Sequence, residues 1–432
     1  MVKQSSEEAN FDPHYTTEIR VTSSQLTWHN TWDHILARCA YKRNSHRVPG
    51  GLYKLGDPSS ASPVLVTSNY SLTFDKLRAA LKGHHIWLLV LDTLGVNVWC
   101  AASKGTMASM NLINAIQETK LADRVVHRTV IVPQLSAPGM NPTFVAQETG
   151  FRVRYGPIRA VDVPDYLAAA SNASPSMRRV RFPLRDRLVL TPVEMVHALS
   201  FTVPMALAGG LMFGRLWVLG ALVAELCGCL LVPALLPYLP TRSYTAKGFF
   251  VGVPAAAALV SAALRPIAGR KFLLGLLELP WWGAVASAVL LGLAVVILTA
   301  FFAMNFSGCT PDAAPSDVFR ETLVWFTWMP RFGPRMRRLV ATNVRKSGVQ
   351  LNTEACIGCG RCTEVCPHGV FTRDPETQKI RLDPDRAPYC IECGACRCNC
   401  PQDACDVTPG VGCAYALIYS AFKGLDTIVC PC

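Results

Sequence analysis

The sequence predicts three architectures in succession: an α/β domain, an all-α transmembrane bundle and a small α+β domain rich in cysteine. Three observations carry this. Short β-branched runs alternate with amphipathic stretches in the first part of the chain, long apolar runs fill the middle, and 13 of the 18 cysteines lie between Cys356 and Cys432. The 432 residues divide accordingly into a lead-in segment (1–60), the α/β domain (61–175), the transmembrane helices (188–310), a basic linker (311–350) and the cysteine-bearing domain with its C-terminal tail (351–432).

The net charge of +12 is placed unevenly. Basic residues gather beside the apolar runs, at Arg178, Arg179, Arg181, Arg185 and Arg187 and again from Arg331 to Lys346, which favours a membrane surface and argues against nucleic acid as a partner. The cysteines fall in runs with metal-cluster spacing rather than in a scattered disulfide framework, which argues for a reducing compartment. Met1 to Asn10 is polar and partly acidic, so no cleaved signal peptide is expected.

Residues 1–60 lack periodicity and carry turn signals at Pro49-Gly50-Gly51 and Asp57-Pro58-Ser59-Ser60, so they are expected to wrap on the next domain. Pro63 to Ser68 reads as a strand, Leu72 to Leu81 as an amphipathic helix and His85 to Leu91 as a strand. The alternation repeats with Val125 to Val132 and Pro142 to Thr149. Open α/β sheets bind ligands at the carboxyl ends of their strands. Here those ends fall at Ser68, Thr93 and Pro133, and the stretch Asn97 to Lys104 follows the second directly. Asn97 is expected to cap a short helix that carries Cys100 in its first turn and ends at Gly105, with Thr106 capping the next helix. A helix N-terminus favours a thiolate, so Cys100 is a candidate metal ligand. On spacing alone a packed core cysteine is the commoner outcome.

Val193 to Phe213, Leu216 to Leu239, Gly248 to Leu264 and Gly283 to Phe306 each approach the length that crosses a bilayer. Phe272 to Pro280 is too short to span and contains Glu278; it enters as an optional tilted or re-entrant fifth piece. Five arginines precede the first span and six basic residues lie between Arg331 and Lys346. The positive-inside rule therefore puts both flanks in the cytoplasm of an inner-membrane, multi-pass protein with an even number of crossings, although Arg265, Arg270 and Lys271 then lie outside. Glu194, His197, Glu225, Cys227 and Cys229 are the reactive or ionisable side chains within the spans. A bundle-facing polar set is the expected reading, with an ion path as the alternative.

The strongest motif is the pair Cys356-x2-Cys359-x2-Cys362-x3-Cys366-Pro367 and Cys390-x2-Cys393-x2-Cys396-x3-Cys400-Pro401. Each run offers three thiolates to one 4Fe-4S cube, and in two-cluster bacterial ferredoxins the fourth ligand comes from the other run. One cluster is then expected on Cys356, Cys359, Cys362 and Cys400, and a second on Cys366, Cys390, Cys393 and Cys396. Their function is low-potential electron transfer, and structural zinc is the weaker alternative. Cys398, Cys405, Cys413, Cys430 and Cys432 remain; the terminal Cys430-Pro431-Cys432 is suited to capturing a soft metal ion.

The residues Gly51-Leu52-Tyr53, Ser62 to Asp75 and above all Asn97-Val98-Trp99-Cys100-Ala101-Ala102 resemble HgcA, the corrinoid protein family of microbial mercury methylation. The part from about Leu351, including Gly410 to Cys413 and the terminal cysteines, resembles its ferredoxin partner family HgcB. The chain looks like a fusion of the two. The resemblance implies a Rossmann-like domain binding a corrinoid (a cobalamin), with Cys100 as the lower cobalt ligand and catalytic residue. Asn97, Val98, Trp99, Ala101, Ala102, Ser103, Lys104, Thr67 and Asn69 are implied around the cofactor. It implies methyl transfer from cobalt to Hg(II), giving methylmercury, with methyl drawn from a methylated folate-type donor or its methyltransferase. It also implies cobalt reduction by the two clusters, fed by an external low-potential donor, and metal delivery by Cys413, Cys430 and Cys432. Ser103 stands where the family usually has glycine, and Pro431 separates cysteines that are usually adjacent. Methylation of another soft metal or metalloid therefore stays open, as does membrane-bound ferredoxin-type electron transfer without methylation.

Overall fold

The computed structural model describes residues 13–265, 271–272, 277–278, 280–343, 347–409 and 412–429. Its N-terminal part is built on a six-stranded sheet of order β1-β2-β4-β3-β5-β6. The strands are β1 (Ile19–Thr22), β2 (Gly51–Leu55), β3 (Val64–Ser68), β4 (Ile86–Leu91), β5 (Thr129–Val132) and β6 (Arg152–Tyr155). β3 runs parallel to β4 and β5, and β5 parallel to β6, whereas β2 is antiparallel to β4. Every residue of β3 and β4 is buried, as a strand covered on both faces requires.

Alternate side chains feed two cores. Val64, Val66, Leu89 and Leu91 pack with α3 (Val98–Lys104) and α4 (Ser109–Glu118), whereas Leu65, Leu88 and Val90 pack with α2 (Ser71–Ala80). Helix α1 (Trp28–Arg38) lies against α2, tied by His34 Nε2 to Asp75 Oδ2 at 2.9 Å.

The lead-in does not merely wrap this domain, because β1 and β2 belong to its sheet. The register from Gly51↔Val90 to Leu55↔Ile86 places residues 51–55 inside the fold, so the boundary expected near residue 60 falls between paired strands. The glycines and prolines that read as turns bracket β2 rather than exclude it.

Among the described residues four helices are long and apolar enough to cross a membrane: Leu184–Phe213, Arg215–Tyr238, Tyr244–Leu264 and Trp281–Cys309. The piece expected as an optional fifth span is not a helix where it is described. Lys271–Phe272 pairs antiparallel with Leu277–Glu278, and the rest of 272–280, apart from Pro280, lies outside the described residues. So short a segment satisfies its backbone by strand pairing. Spans three and four pack most closely; a Cβ at Gly248 would come within 2.4 Å of Ala300 Cα, the small-residue contact that lets helices approach without a hydrophobic driving force. Cys309 Sγ donates to Glu194 Oε1 at 2.9 Å, so the start of the first span and the end of the fourth lie at one end of the bundle.

The stretch 311–350 is not a bare linker. Helices α5 (Pro315–Phe326) and α6 (Phe332–Asn343) form an apolar cluster with α7 (Ala414–Lys423), through Phe319, Met336, Leu339 and Leu417. Their apolar faces at helical spacing need that third helix to be covered. The cysteine domain between them carries two short ribbons, Phe371–Arg373 with Ile380–Leu382 and Gln350–Leu351 with Cys405–Asp406.

Candidate functional site

The chain passes from β3 to β4 on one side and then from β4 back across β3 to β5 on the other. Such a switch point leaves a crevice at the carboxyl ends of the strands, and a cavity of about 1170 Å³ opens there. Its α/β wall carries Thr67, Asn97, Val98, Trp99, Cys100, Ser103 and Lys104. Ala101 and Ala102, expected beside the cofactor, are instead buried in the sheet core, because α3 turns that face inward. Asn69 is also off the cavity wall. Its Nδ2 donates to Asp92 Oδ1 at 2.8 Å, and its Oδ1 accepts from the Thr93 amide at 3.0 Å and the Gly95 amide at 3.1 Å. Asn69 therefore fastens the loop that delivers α3.

The short helix forms as its ends dictate. Asn97 Oδ1 accepts from the Cys100 amide at 3.0 Å, and Gly105 closes the helix at φ +84°, the left-handed cap that glycine takes without a Cβ penalty. Asn97 Nδ2 donates to Cys100 Sγ at 3.5 Å. Cys100 is exposed, so it is not a packed core thiol. Thr106 does not cap α4: Ala108 holds that position without a side-chain bond, and buried Thr106 donates to Ala101 O at 3.5 Å. A Cβ at Gly139 would meet Met107 O at 2.4 Å, so the turn Gln134–Gly139 lies flush against the end of α3.

The loop is further braced by residues that the sequence did not single out. Tyr15 donates to Asn111 Oδ1, and Asn111 Nδ2 donates at 2.7 Å to both Asp92 O and Thr106 O. Burial pushes the Tyr15 hydroxyl well above its ordinary value, so it acts as a neutral donor.

The two cysteine runs fold alike. Gly358 and Glu392 occupy matching positions at φ +71° and +54°, Gly360 and Gly394 at +78° and +82°, and each run enters a short helix, Arg361–Val365 or Ala395–Asn399. Cys366 from the first run joins Cys390, Cys393 and Cys396 around a small void of about 20 Å³. Burial pushes the Cys390 thiol up to about 11 and that of Cys393 up to about 12; a metal binding there would displace those protons. Of the expected first set, Cys356 and Cys362 are buried, Cys400 half-buried and Cys359 exposed. Cys405 lies among both sets, hydrogen-bonded to Cys362 and Cys396, and Cys398 Sγ donates to Pro138 O at 3.0 Å.

The cysteine domain docks on the α/β domain beside the cavity. Tyr155 Oη donates to Asn399 Oδ1 at 2.7 Å, Asn399 Nδ2 donates to Ala137 O at 3.1 Å, and Val365 and Ala395 enter the α/β core. Arg178 pairs with Glu364 at 3.0 Å. Ile391 and Cys393 consequently reach the same cavity as Cys100. Glu392 stands where the first run has Gly358, and its buried carboxylate accepts from Ser316 N at 3.1 Å, Ser316 Oγ at 2.6 Å and Gly348 N at 2.7 Å.

The membrane side of the cavity carries Glu194, His197, Cys229, Cys309, Cys413 and Tyr415. Glu194 and His197 thus line the cavity. Buried Glu225 keeps its Oε2 without a hydrogen-bond partner among the described residues. Cys430 and Cys432 lie outside the described residues.

Comparison with known proteins divides the chain the same way. Residues 17–167 match the family model of the CO dehydrogenase/acetyl-CoA synthase delta subunit, and residues 355–404 that of the 4Fe-4S dicluster domain. The acetyl-CoA decarbonylase/synthase complex subunit gamma of Methanopyrus kandleri is 34% identical over 134 residues, which are 30% of this chain and 29% of that protein. The subunit of the same name from Methanocaldococcus jannaschii is 35% identical over 136 residues, 31% of this chain and 28% of that protein. The chain spans under a third of the length of these relatives. It joins a domain similar to theirs to a 4Fe-4S domain, with four membrane-length helices between them.

Proposed function

We propose that this chain is a membrane-anchored, corrinoid-dependent methyltransferase that carries its own ferredoxin reductant and methylates Hg(II). The observation that carries the reading is that Cys100 and Cys393 line one cavity. A ligand sulfur and a thiol of the cluster motif at one space are what a redox-active cofactor between them needs. The residues present fit a corrinoid: the cavity lies at a sheet switch point, has the size of a large macrocycle and presents an exposed sulfur on one wall. A bound corrinoid would supply methyl-transfer chemistry between a methylated folate-type donor and a soft metal ion.

The chain's own residues do the rest. Cys100 would offer its sulfur to the cobalt, and Asn97 holds that sulfur in place by donating to it. Asn69, Asn111 and Tyr15 fix the loop so that the sulfur arrives positioned. Cys356, Cys359, Cys362 and Cys400 hold one 4Fe-4S cluster, and Cys366, Cys390, Cys393 and Cys396 the other, at the cavity edge. Cys413, Cys430 and Cys432 hand over the metal. The spans hold both domains at the cytoplasmic face of the inner membrane, with exposed Arg181 and Arg185 toward anionic headgroups, whereas Arg178 and Arg187 are engaged inside the fold, on Glu364 and on the Pro233 and Ala234 carbonyls. Ser103 on the cavity wall favours testing a second acceptor, another soft metal or metalloid, beside mercury.

The test is an anaerobic absorption and paramagnetic resonance comparison of the purified protein with Cys100→Ala, joined to an assay for methylmercury from Hg(II). Corrinoid bound with a sulfur ligand that disappears in Cys100→Ala, together with methylmercury formation, is the expected result. A protein that holds its clusters and takes up no corrinoid is a membrane ferredoxin instead.

A further inference from the structure

The end of the bundle that faces the cavity brings together chemistry that methyl transfer at Cys100 does not use. Cys309, in the turn Ser307–Cys309 that closes the fourth span, donates its thiol proton to Glu194 Oε1 on the first span at 2.9 Å. Glu194 is only 9% exposed. Cys413, at the start of α7, is buried with its sulfur on Gly308, where a Cβ would come within 2.8 Å. His197 stacks on Tyr415 of α7, ring centroids 5.9 Å apart and planes 8° from parallel. Two thiols and a buried carboxylate from three separate segments thus meet on the cavity wall that includes neither Cys100 nor the cluster void.

We propose that Cys309 and Cys413, assisted by Glu194, form the receiving site for a soft, thiophilic divalent cation. The proposal rests on the reading of such a cation as methyl acceptor and names where it waits. A buried carboxylate hydrogen-bonded to a thiol is placed to take that thiol's proton, which soft-metal binding requires. Both thiols lose a proton as two metal–sulfur bonds form; one proton passes to the Glu194 carboxylate and the other to solvent, with no change of oxidation state. A pair of thiols, with a carboxylate hydrogen-bonded to one of them, suits a soft cation that takes two sulfur ligands rather than zinc, which takes four. Gly308 is what lets the Cys413 sulfur approach the turn that holds Cys309.

The experiment uses the full-length, cluster-loaded protein in detergent without oxygen. Cys430→Ser and Cys432→Ser remove the terminal thiols, and Hg(II) is buffered by excess glutathione. One Hg(II) per chain in two-sulfur coordination by X-ray absorption is expected. It should be lost in Cys309→Ser, whose hydroxyl keeps a hydrogen bond to Glu194, and lost again in Cys413→Ser. Glu194→Gln should weaken retention by about tenfold, as loss of a supporting carboxylate does. Cys100→Ala should keep the metal. Cluster absorption reports folding, and if Cys309→Ser loses it, Cys413→Ser decides. Retention unchanged in both serine variants, or lost in Cys100→Ala, overturns the site. Hg(II) held as expected but never methylated overturns the acceptor reading and leaves the site standing.

Discussion

Asn97 grips Cys100 twice, its Oδ1 accepting from the Cys100 amide at 3.0 Å and its Nδ2 donating to the sulfur at 3.5 Å. Asn97→Ala removes the cap, at about 1 kcal/mol, and the donor that stabilises a thiolate. Alkylation of Cys100 in corrinoid-free protein, followed by peptide mass spectrometry, should slow. Asn97→Ser, which keeps a capping oxygen, should recover helix stability more than sulfur reactivity. Equal recovery of both would separate the sulfur contact from function.

Gly139 lies so close to Met107 O that a methyl group must move the turn or α3. Gly139→Ala should therefore cost about 1–3 kcal/mol and lower corrinoid retention, measured by cobalt content after desalting. Gly150→Ala serves as control: a Cβ there meets nothing within 4 Å, though its φ of +74° carries strain of its own. That variant should lose stability without losing cobalt.

Tyr155 and Asn399 seal the contact between the α/β domain and the cysteine domain inside a buried interface. Tyr155→Phe leaves the Asn399 oxygen without that donor, at about 1–3 kcal/mol. Amide exchange should then rise together in Gln134–Gly139 and Ala395–Asn399. Glu364→Ala should change it little, because that carboxylate is 45% exposed, such pairs are worth under about 1 kcal/mol, and Arg178 keeps its bonds to Gln134 and Gly156. Exchange rising in one segment alone would show that the two do not open as a unit.

Asp75 gives the N-terminal part an acid-sensitive joint. Burial pushes its carboxyl up, but hydrogen bonds from His34 and Arg78 more than offset this and hold it below the ordinary value. A carboxyl lowered in the folded state adds stability that is complete above its unfolded value, about 3.9, and is lost as pH falls through the folded one. Amide exchange in Trp28–Arg38 should therefore be faster in Asp75→Asn than in the parent at neutral pH. The difference should narrow only as pH falls below about 4.

Ser103 stands on the cavity wall beside Cys100. Ser103→Gly should cost about 1 kcal/mol or less in helix stability and shift the ratio of methylated mercury to methylated metalloid in a competition assay. An unchanged ratio would remove Ser103 from acceptor choice.

Local patterns in the sequence spelled out much of this molecule. The strand ends near Ser68, Thr93 and Pro133, the cap at Asn97 and the stop at Gly105 are written in neighbouring residues, and the four spans and both cysteine runs in composition and spacing. What escaped depends on distant partners. β1 is four residues long and gains its identity by pairing with Leu52 to Leu55. Asn69 lies 26 residues from Gly95, whose amide it holds. Thr106 looked like a cap because its type fits one, but the chain buries it before α4 begins. Cys309 and Glu194 are 115 residues apart, and only the folded bundle sets one on the other.

Glu392 takes a left-handed conformation in a cluster loop while its carboxylate holds the first turn of α5, the helix that follows the last span. Together with Asn399 on Ala137, it ties the cysteine domain both to the helix after the last span and to the α/β domain. On the proposed function, reduction of the cofactor is a first-order event within one chain. Its rate should not change on dilution, and added free ferredoxin should compete poorly against a donor whose effective concentration is set by the fold rather than by the cell.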